Sequence, residues 1–408
     1  MSTTSTKAAA ASSWLDALCP AGIRPGLSAL RRDLHQHPEL AFHETRSAAL
    51  LEKELNAMGA VQVTRVAGTG VVARIRGRTR GAPVVAVRGD IDALPIQEAT
   101  GLPYTSVNAG VMHACGHDVH ATWAIGAARL LAEDPATGDV LVVLQPAEET
   151  GEGAAAVLAS GALDEARAIF GGHVDRRFVV GEVVAQTGSL AASADTFEIV
   201  LNGHGAHGAR PHESADPVVC AAQIIMALQT IVARRVNPAI PAVVTVATMQ
   251  AGTAQNIIPE QAALGGTLRA VDTHTRLLLD TSVRQLAEGI AAANGLTATV
   301  KMSLGPPPIV NPERPVEWAR AAVTSLLGAE ALVPLGITNM AGEDFAYYME
   351  RLPGCFMRIG ARLADEPVIA AHTPQFHAAE ESVFVGAAVL AETARVASAA
   401  LARGESPV

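Results

Sequence analysis

"DVLVVLQPAEE", residues 139–149, is a continuous apolar run that stops at two adjacent glutamates. Comparable runs are "PVVAVRGDID" at residues 83–92 and "AIFGGH" at residues 168–173, and segments with helical spacing lie between them. Strands that are apolar on both faces and alternate with helices are typical of a largely parallel sheet covered by helices on both sides. The sequence therefore predicts an α/β fold built on a mostly parallel sheet.

The middle of the chain follows a different pattern. After residue 190 the segments read as strand, helix, strand, strand, helix, strand, which is the βαββαβ order of ferredoxin-like domains. The turn segment "GPPP" closes this part, and the first pattern then resumes. We predict a two-domain chain in which residues 1–190 and 304–408 form a metal-binding catalytic domain. Residues 191–303 would form an inserted ferredoxin-like domain.

Composition excludes several classes of function. The chain has 408 residues with 40 acidic and 30 basic side chains, and aromatic residues make up only 3%. An acidic chain without clusters of Lys and Arg is a poor nucleic-acid binder, because that affinity depends on phosphate neutralisation. We expect no nucleic-acid partner and no membrane span. Four sparse cysteines and the lack of a secretory signal favour a cytoplasmic enzyme.

Polar side chains follow the predicted strands at the points where those strands end. Asp90, Glu148, Glu149 and His173 each come after an apolar run, and His372 follows "CFMRIGA" after a loop. In open α/β sheets, ligands bind beyond the carboxyl ends of the strands. We therefore expect these side chains to converge.

"VMHACGHDVHA", residues 111–121, is the densest cluster of metal-binding residue types in a chain with only 13 His and 4 Cys. Cys115 and His117 lie two apart in a glycine-containing loop and can point at one ion. Thiolate, imidazole and carboxylate are ligands for Zn²⁺ and Mn²⁺, and pairs of such ions activate water. The alternative for Cys115 is a small core residue. His113 and His120 could orient ligands or only pack, and we favour the orienting role for both.

A competing motif, G-x-G-x-x-G, occurs at Gly203, Gly205 and Gly208 directly after a predicted strand. In dinucleotide-binding domains a helix opens at these glycines and an acidic residue follows about 20 positions later. Here "ARPHESADP" follows the glycines, and no acidic residue lies between Cys220 and Pro241. We therefore reject nicotinamide binding.

The motifs taken together carry a family resemblance. "RGDIDALPI", "MHACGHD", "QPAEE", "GGHV", "HGAHGARPHESADPV", "QNIIPE", "GTLRA" and "AHTP" occur in the order seen in N-acyl-amino-acid amidohydrolases. Over about residues 28–390 the chain resembles the hippurate hydrolase and indole-acetyl-amino-acid hydrolase branch, relatives of aminoacylase and carboxypeptidase G. This resemblance implies a two-metal catalytic domain, an inserted lid that often dimerises, and a small-molecule substrate bearing a carboxylate.

The resemblance also implies roles for individual residues. It implies two divalent ions per subunit (Zn, Mn, Co or Ni), with the ligands Cys115, His117, Glu149, His173 and His372. Glu148 resembles the general base, and Asp90 resembles the residue that steadies the metal centre. In the lid, His207 resembles the histidine that reaches the scissile carbonyl, while Asn256 and Arg269 resemble the groups that hold the substrate carboxylate.

The chain departs from the family pattern at four points. His204 stands where the family usually has Lys, and His43 where it has Glu. "HVDRRF" lacks the proline that commonly follows this His-Val pair, and "NMAGEDF" replaces a segment with a small residue before Ser-Glu-Asp. These departures leave two alternatives open. One is a hydrolytic deaminase or related hydrolase of a small aromatic acid on the same site. The other is a non-catalytic binding protein, against which the intact Glu148 and ligand set argue.

Overall fold

The computed structural model describes residues 14–59 and 62–408. The described residues divide into two compact units. The first contains the chain up to Gly188 together with Asn311–Gly336 and Tyr347–Val408, and the second contains Ser189–Val310 together with Ile337–Ala346.

The first unit is built on a seven-stranded sheet. With strands numbered along the whole chain, its members are β1 (Gln62–Val66), β2 (Gly70–Ile75), β3 (Val84–Asp90), β4 (Val140–Gln145), β5 (Ala166–Val179), β6 (Val183–Val184) and β15 (Gly354–Arg362). Their order across the sheet is β1-β2-β4-β3-β5-β15-β6.

The four central strands of this sheet, β4, β3, β5 and β15, run parallel to one another. The pairs β1–β2, β2–β4 and β15–β6 are antiparallel. Every residue of β3 and β4 is buried, as their Val-rich composition predicts for strands covered on both faces. The predicted α/β class with a parallel centre is confirmed, whereas the antiparallel edges were not anticipated.

Helices cover this sheet. The main helices of the first unit, among the described residues, are α1 (Arg24–Gln36), α2 (Thr45–Ala57), α3 (His117–Glu133), α4 (Gly153–Ala159), α7 (Glu313–Leu327) and α9 (Glu381–Ala402), and α8 (Phe345–Met349) begins at the end of the second unit's sequence. Helices α3 and α9 pack closely because small residues lie between them. A Cβ on Gly386 would lie 2.2 Å from Cε3 of Trp123, and one on Gly126 would lie 2.6 Å from Ala387 Cβ.

The second unit has a four-stranded antiparallel sheet with the order β10-β12-β8-β13. In chain order its main elements are β8 (Asp195–Asn202), α5 (Pro217–Arg234), β10 (Ala242–Ala251), β12 (Gln261–Ala270), α6 (Thr273–Ala293) and β13 (Thr297–Ser303). Two further pairs join β9 (Ala206–His207) to β11 (Ile257–Ile258) and β7 (Gly188–Ala191) to β14 (Ile309–Asn311). The order βαββαβ is that of ferredoxin-like domains.

The glycine motif after β8 does not open a helix. A short 3-10 helix at Pro211–Glu213 follows the glycines, and α5 begins at Pro217. Asp216 caps α5, because its Oδ1 accepts a hydrogen bond from the Val218 N–H at 2.8 Å. The local structure agrees with the rejection of dinucleotide binding.

Helices α5 and α9 have the length and composition of a membrane span, contrary to the expectation from the sequence. The signal is weak, because apolar helices in the core of a protein pass the same test. Within the structure 78% of the α9 window and 33% of the α5 window are buried. For α9, packing inside the first unit explains the apolar composition.

The α3–α9 contact generates a stability prediction. Gly386→Ala places a methyl group against the Trp123 ring, and overpacking of this kind costs about 1–3 kcal/mol. Chemical denaturation should therefore give a lower free energy of unfolding. Gly289→Ala on α6 is the matched control, because no atom lies within 4 Å of the added Cβ. It should be neutral or stabilising by up to about 1 kcal/mol. Equal stabilities of the two variants would contradict this account of the packing.

Candidate metal centre

The carboxyl ends of the parallel strands supply several polar side chains. Asp90 is the last residue of β3, and Glu148 and Glu149 follow β4 by three and four residues. His173 lies inside β5 rather than at its end, because that strand continues to Val179. His372 lies in the loop between β15 and α9. The edge predicted from the sequence thus exists, and its donors come from strand ends, a strand interior and a loop.

Two glycines allow the Cys115 segment to reach this edge. Gly116 caps α3 with φ 98°, a conformation that favours glycine, and turns the chain from Cys115 directly into the helix at His117. A Cβ on Gly89 in β3 would lie 2.2 Å from the carbonyl oxygen of His120, so only glycine lets α3 lie this close to the strand. These two backbone features place the first turn of α3 over the strand ends.

Cys115 is at the centre of one group of donors. Its Sγ lies 3.2 Å from His173 Nε2 and 3.3 Å from His372 Nε2. His372 Nε2 in turn lies 3.5 Å from Glu149 Oε1. The donor atoms of Cys115, Glu149 and His372 all lie within 4.8 Å of one another, as do those of Cys115, His117 and His173.

His117 faces the two glutamates. Its Nε2 lies 3.8 Å from Glu148 Oε2 and 3.8 Å from Glu149 Oε1. His117 Nε2 and Glu149 Oε1 are buried, and neither has a hydrogen-bond partner among the described residues. Two ligands that share an ion at about 2.0–2.3 Å are separated by roughly 3–4 Å. Buried donor atoms that face each other at this spacing without a hydrogen bond fit a divalent metal.

Asp92 orients two of these side chains. Its Oδ1 lies 3.1 Å from His117 Nδ1, and its Oδ2 accepts the Glu149 N–H at 2.9 Å. Burial works to lower the His117 pKa, but the Asp90 carboxylate and Cys115 raise it well above its ordinary value. Contacts of this kind fix the ring orientation of a metal-binding histidine. The role of Asp92 was missed in the sequence, although its position two residues after Asp90 was a signal for it.

Asp90 belongs to a second buried network. Its Oδ1 lies 2.7 Å from His120 Nδ1, and it also pairs with Arg88. Burial works to raise the Asp90 pKa, but Arg88 and the neighbouring histidines hold it well below its usual range. His120 Nε2 accepts the Val174 N–H at 2.9 Å. The chain Asp90–His120–Val174 therefore ties β3 to the segment of β5 that carries His173.

A third buried network contacts Asp118 in the first turn of α3. His35 lies 2.9 Å from Asp118 through Nδ1 and 3.1 Å from Glu98 through Nε2, and Arg31 also binds Asp118 at 2.8 Å. Since both ring nitrogens face carboxylates, both carry protons. His113 behaves differently: burial lowers its pKa to about 4, and neither ring nitrogen has a hydrogen-bond partner among the described residues. His113 therefore packs, and orientation of a ligand by His113 is not supported.

In the second unit the structure brings His207 and Asn256 together. His207 on β9 pairs with Ile257 on β11, and the Gly208 N–H donates to the Asn256 carbonyl at 2.8 Å. Arg269 lies near the far end of β12, eight residues after Gln261, which corresponds to roughly 27 Å along a strand. The joint binding of one carboxylate by Asn256 and Arg269 stays a prediction, with most of the length of β12 between the two residues in the chain.

Comparison with known proteins agrees with this geometry. Residues 86–396 match Peptidase family M20/M25/M40. An N-acetyl-L-cysteine deacetylase of Bacillus subtilis is 43% identical over 337 residues, which cover 82% of this chain and 80% of that protein. An IAA-amino acid hydrolase of Arabidopsis thaliana, ILR1-like 2, is 38% identical over 90% of this chain and 83% of its own length.

A solved structure shares the fold. The Bacillus subtilis YXEP protein, described as a dinuclear metal binding peptidase from the M20 family, superimposes with a TM-score of 0.81 and 37% identity. The match covers 92% of this chain and 98% of that one. The predicted family and the predicted hydrolysis of N-acyl-amino-acid amide bonds are confirmed at the level of the class. The chain belongs to Peptidase family M20/M25/M40 and is a metal-dependent amidohydrolase.

Proposed function

We propose that the chain cleaves N-acyl-amino acids at a centre of two divalent ions. Five side chains of the first unit would hold the ions: Cys115, His117, Glu149, His173 and His372. The observation that supports this most directly is the pair of buried donor atoms, His117 Nε2 and Glu149 Oε1, which face each other at 3.8 Å without a hydrogen bond. Mixed nitrogen, oxygen and sulfur donors suit Zn²⁺, Mn²⁺, Co²⁺ or Ni²⁺.

Glu148 would act as the general base. Divalent ions bound here would supply Lewis acidity, which polarises a carbonyl and acidifies water. Glu148 follows β4 beside Glu149 and lies 3.8 Å from His117 Nε2, so its carboxylate borders the donor atoms. From this position it can take the proton of the attacking water and deliver it to the leaving amine. Asp90 would steady the centre through His120.

The relatives indicate the substrate class. Two Bacillus subtilis relatives, 43% and 40% identical, are N-acetylcysteine deacetylases, and the Arabidopsis thaliana relatives are IAA-amino acid hydrolases. These substrates share a free α-carboxylate beside the scissile amide, while their acyl groups differ. We infer that this chain requires the carboxylate and that Arg269 binds it, since a guanidinium matches a carboxylate with two hydrogen bonds. Methyl esters of N-acyl-amino acids should therefore be poor substrates.

His207 would stabilise the oxyanion that forms during attack. It is exposed, and its Nδ1 accepts the Ala209 N–H at 3.0 Å. The proton of the neutral ring is then on Nε2, which can donate to a developing negative charge. His207 and Asn256, which lie together, would contact the substrate at one position, and Arg269 would contact it at another.

We further propose that the second unit forms a homodimer through β10. This edge strand is ten residues long and exposes Met249, and the adjacent helix α5 exposes Val219 and Met226. A long exposed edge strand beside exposed apolar side chains favours pairing with another chain. As an inserted lid, the unit would then serve both closure and dimerisation. The four free, buried cysteines agree with the cytoplasmic location that we infer.

A two-fold arrangement of two chains supports a second copy of this chain as the partner of β10. Arg269 pairs with Val243 near the start of β10, and Ala262 pairs with Ala251 at its end. A two-fold axis between antiparallel copies of β10 would place these opposite ends side by side, about three strand spacings or 14 Å apart. Arg269 of one subunit could then share a substrate with His207 and Asn256 of the other.

The metal assignment predicts that Cys115 is required for metal binding. Cys115→Ala should lose bound metal and, measured on a panel of N-acyl-amino acids, at least about 100-fold in activity, because a ligand is removed. Elemental analysis after dialysis against Zn²⁺ or Mn²⁺ measures the first effect. Cys355→Ala is the matched control, since Cys355 is a buried thiol on β15 outside every donor group. Full metal content in Cys115→Ala would contradict the assignment.

Substitution of Glu148 and substitution of Glu149 should have different effects on metal binding and on turnover. Glu148→Gln keeps the shape of the side chain but cannot accept a proton, so we expect retained metal and a loss in kcat of about 10²–10⁴-fold. Glu149→Gln should instead lose metal. Paired metal analysis and steady-state kinetics make the comparison, and the reverse pattern would mean that the roles are exchanged.

The dimer proposal predicts complementation. His207→Ala and Arg269→Ala homodimers should each be impaired, because every composite site lacks one group. After unfolding and refolding as an equal mixture, half of the dimers carry one intact site, so about a quarter of the wild-type activity should return. Differently tagged subunits allow the mixed dimer to be isolated. A mixed dimer without recovered activity would place both groups in the site of a single subunit.

A further inference from the structure

We propose that Arg176 is a positioning residue that holds His372 in the metal centre by binding both limbs of the loop that carries it. This inference rests on the proposed function of His372 as a ligand. The loop runs from the end of β15 at Arg362 to the start of α9 at Glu381. Arg176 lies on β5, three residues after His173, in the segment "HVDRRF" that departs from the family pattern.

The guanidinium of Arg176 contacts the loop on both sides of His372. Its Nη2 donates to the Pro367 carbonyl at 3.0 Å and to Glu366 Oε2 at 3.1 Å. Its Nη1 donates to the His377 carbonyl. Pro367 and His377 each lie five residues from His372, so one planar group binds the two limbs of the loop together.

Because Arg176 is buried, its charge depends on these contacts for stabilisation. Its side chain is only 1% exposed, and a buried cation is stable only where charged or polar groups compensate for its lost hydration. Burial works to lower the Arg176 pKa, and the Glu366 carboxylate opposes this shift. Among the described residues, the hydrogen-bond acceptors of Arg176 are all on the His372 loop, so the loop conformation and the buried cation depend on each other.

His372 needs such support more than the other ligands do. Its side chain is 53% exposed, whereas Cys115 and His117 are buried. Its backbone has φ 62°, a left-handed conformation that is unfavourable for a residue other than glycine. The His372 N–H donates to the Ala114 carbonyl at 2.8 Å, next to Cys115. Release of the limbs would let this strained residue relax and move its Nε2 away from Cys115.

Arg362 supports the same loop but only at its beginning. Its guanidinium donates to the Glu366 carbonyl at 3.0 Å and to the Arg176 carbonyl at 3.0 Å. Only one limb of the loop is held in this way. The contacts of Arg176, unlike those of Arg362, reach from the limb before His372 to the limb after it. His377 Nε2 and Glu366 Oε1, 3.7 Å apart, also join the two limbs.

The test measures metal binding rather than turnover. Apo protein of the full chain is titrated with Co²⁺ against a chelator, and the visible spectrum of the bound ion reports its ligands. We expect Arg176→Met to bind Co²⁺ about 10–100-fold more weakly, with a spectrum shifted towards that of His372→Ala. Arg177→Met is the matched control, because Arg177 is the next residue, is partly exposed and pairs with Asp175 at 2.7 Å. It should bind Co²⁺ like the wild type.

A double-mutant comparison separates positioning from general stability. In a His372→Ala background, Arg176→Met should cause little further loss of Co²⁺ affinity, because the residue it positions is already gone. Wild-type affinity and spectrum in Arg176→Met, or full additivity with His372→Ala, would overturn the proposal. If Arg176→Met does not fold, Arg176→Lys decides in its place, with an intermediate loss expected and a wild-type spectrum overturning the proposal. Unchanged Co²⁺ binding in His372→Ala itself would instead contradict the proposed ligand set.

Discussion

The contact between Gly89 and the first turn of α3 determines where the metal donors meet. Without a side chain at Gly89, β3 and the His120 carbonyl approach so closely that a Cβ would lie 2.2 Å from that oxygen. This contact places His117 and the preceding Cys115 over the ends of β3 and β4, where Glu148 and Glu149 follow. A larger residue at Gly89 would push the helix outward and separate the donors of the helix from those of the strands.

Burial of so many ionisable groups requires that their charges be compensated. Asp90 is paired with Arg88, and Asp118 is paired with Arg31 and His35. These pairs neutralise the carboxylates around the centre and satisfy their oxygens. The donor atoms that remain, such as His117 Nε2 and Glu149 Oε1, face one another. Two buried donor atoms without a hydrogen bond are costly because they have lost their hydration, and a divalent cation bound between them would compensate for that cost.

The sequence predicted the parts of the structure that depend on local pattern. Val-rich runs identified β3 and β4, and the rule that ligands bind at the carboxyl ends of strands predicted that Glu149 and His372 converge. The antiparallel edges could not be predicted, since β1 and β6 are short and their direction depends on neighbours. The role of Asp92, although it was visible at the end of the strand, and the role of Arg176 were missed because their partners lie far away in sequence. The carboxylate shared by Asn256 and Arg269 stays a prediction, because the spacing of the two residues in the sequence does not account for the extended length of β12.

The candidate ligands differ in how they are held, and this difference bears on metal specificity. His117 and His173 lie on α3 and β5, elements fixed by the main core and by Asp92 and His120. His372 lies on a loop, half exposed, with a strained backbone. The ligands on α3 and β5 therefore have fixed positions. His372 can move, but only within the limits set by the contacts that hold its loop. Ions that prefer different geometries, such as Zn²⁺ and Mn²⁺, would therefore be distinguished mainly by how far the His372 loop can move.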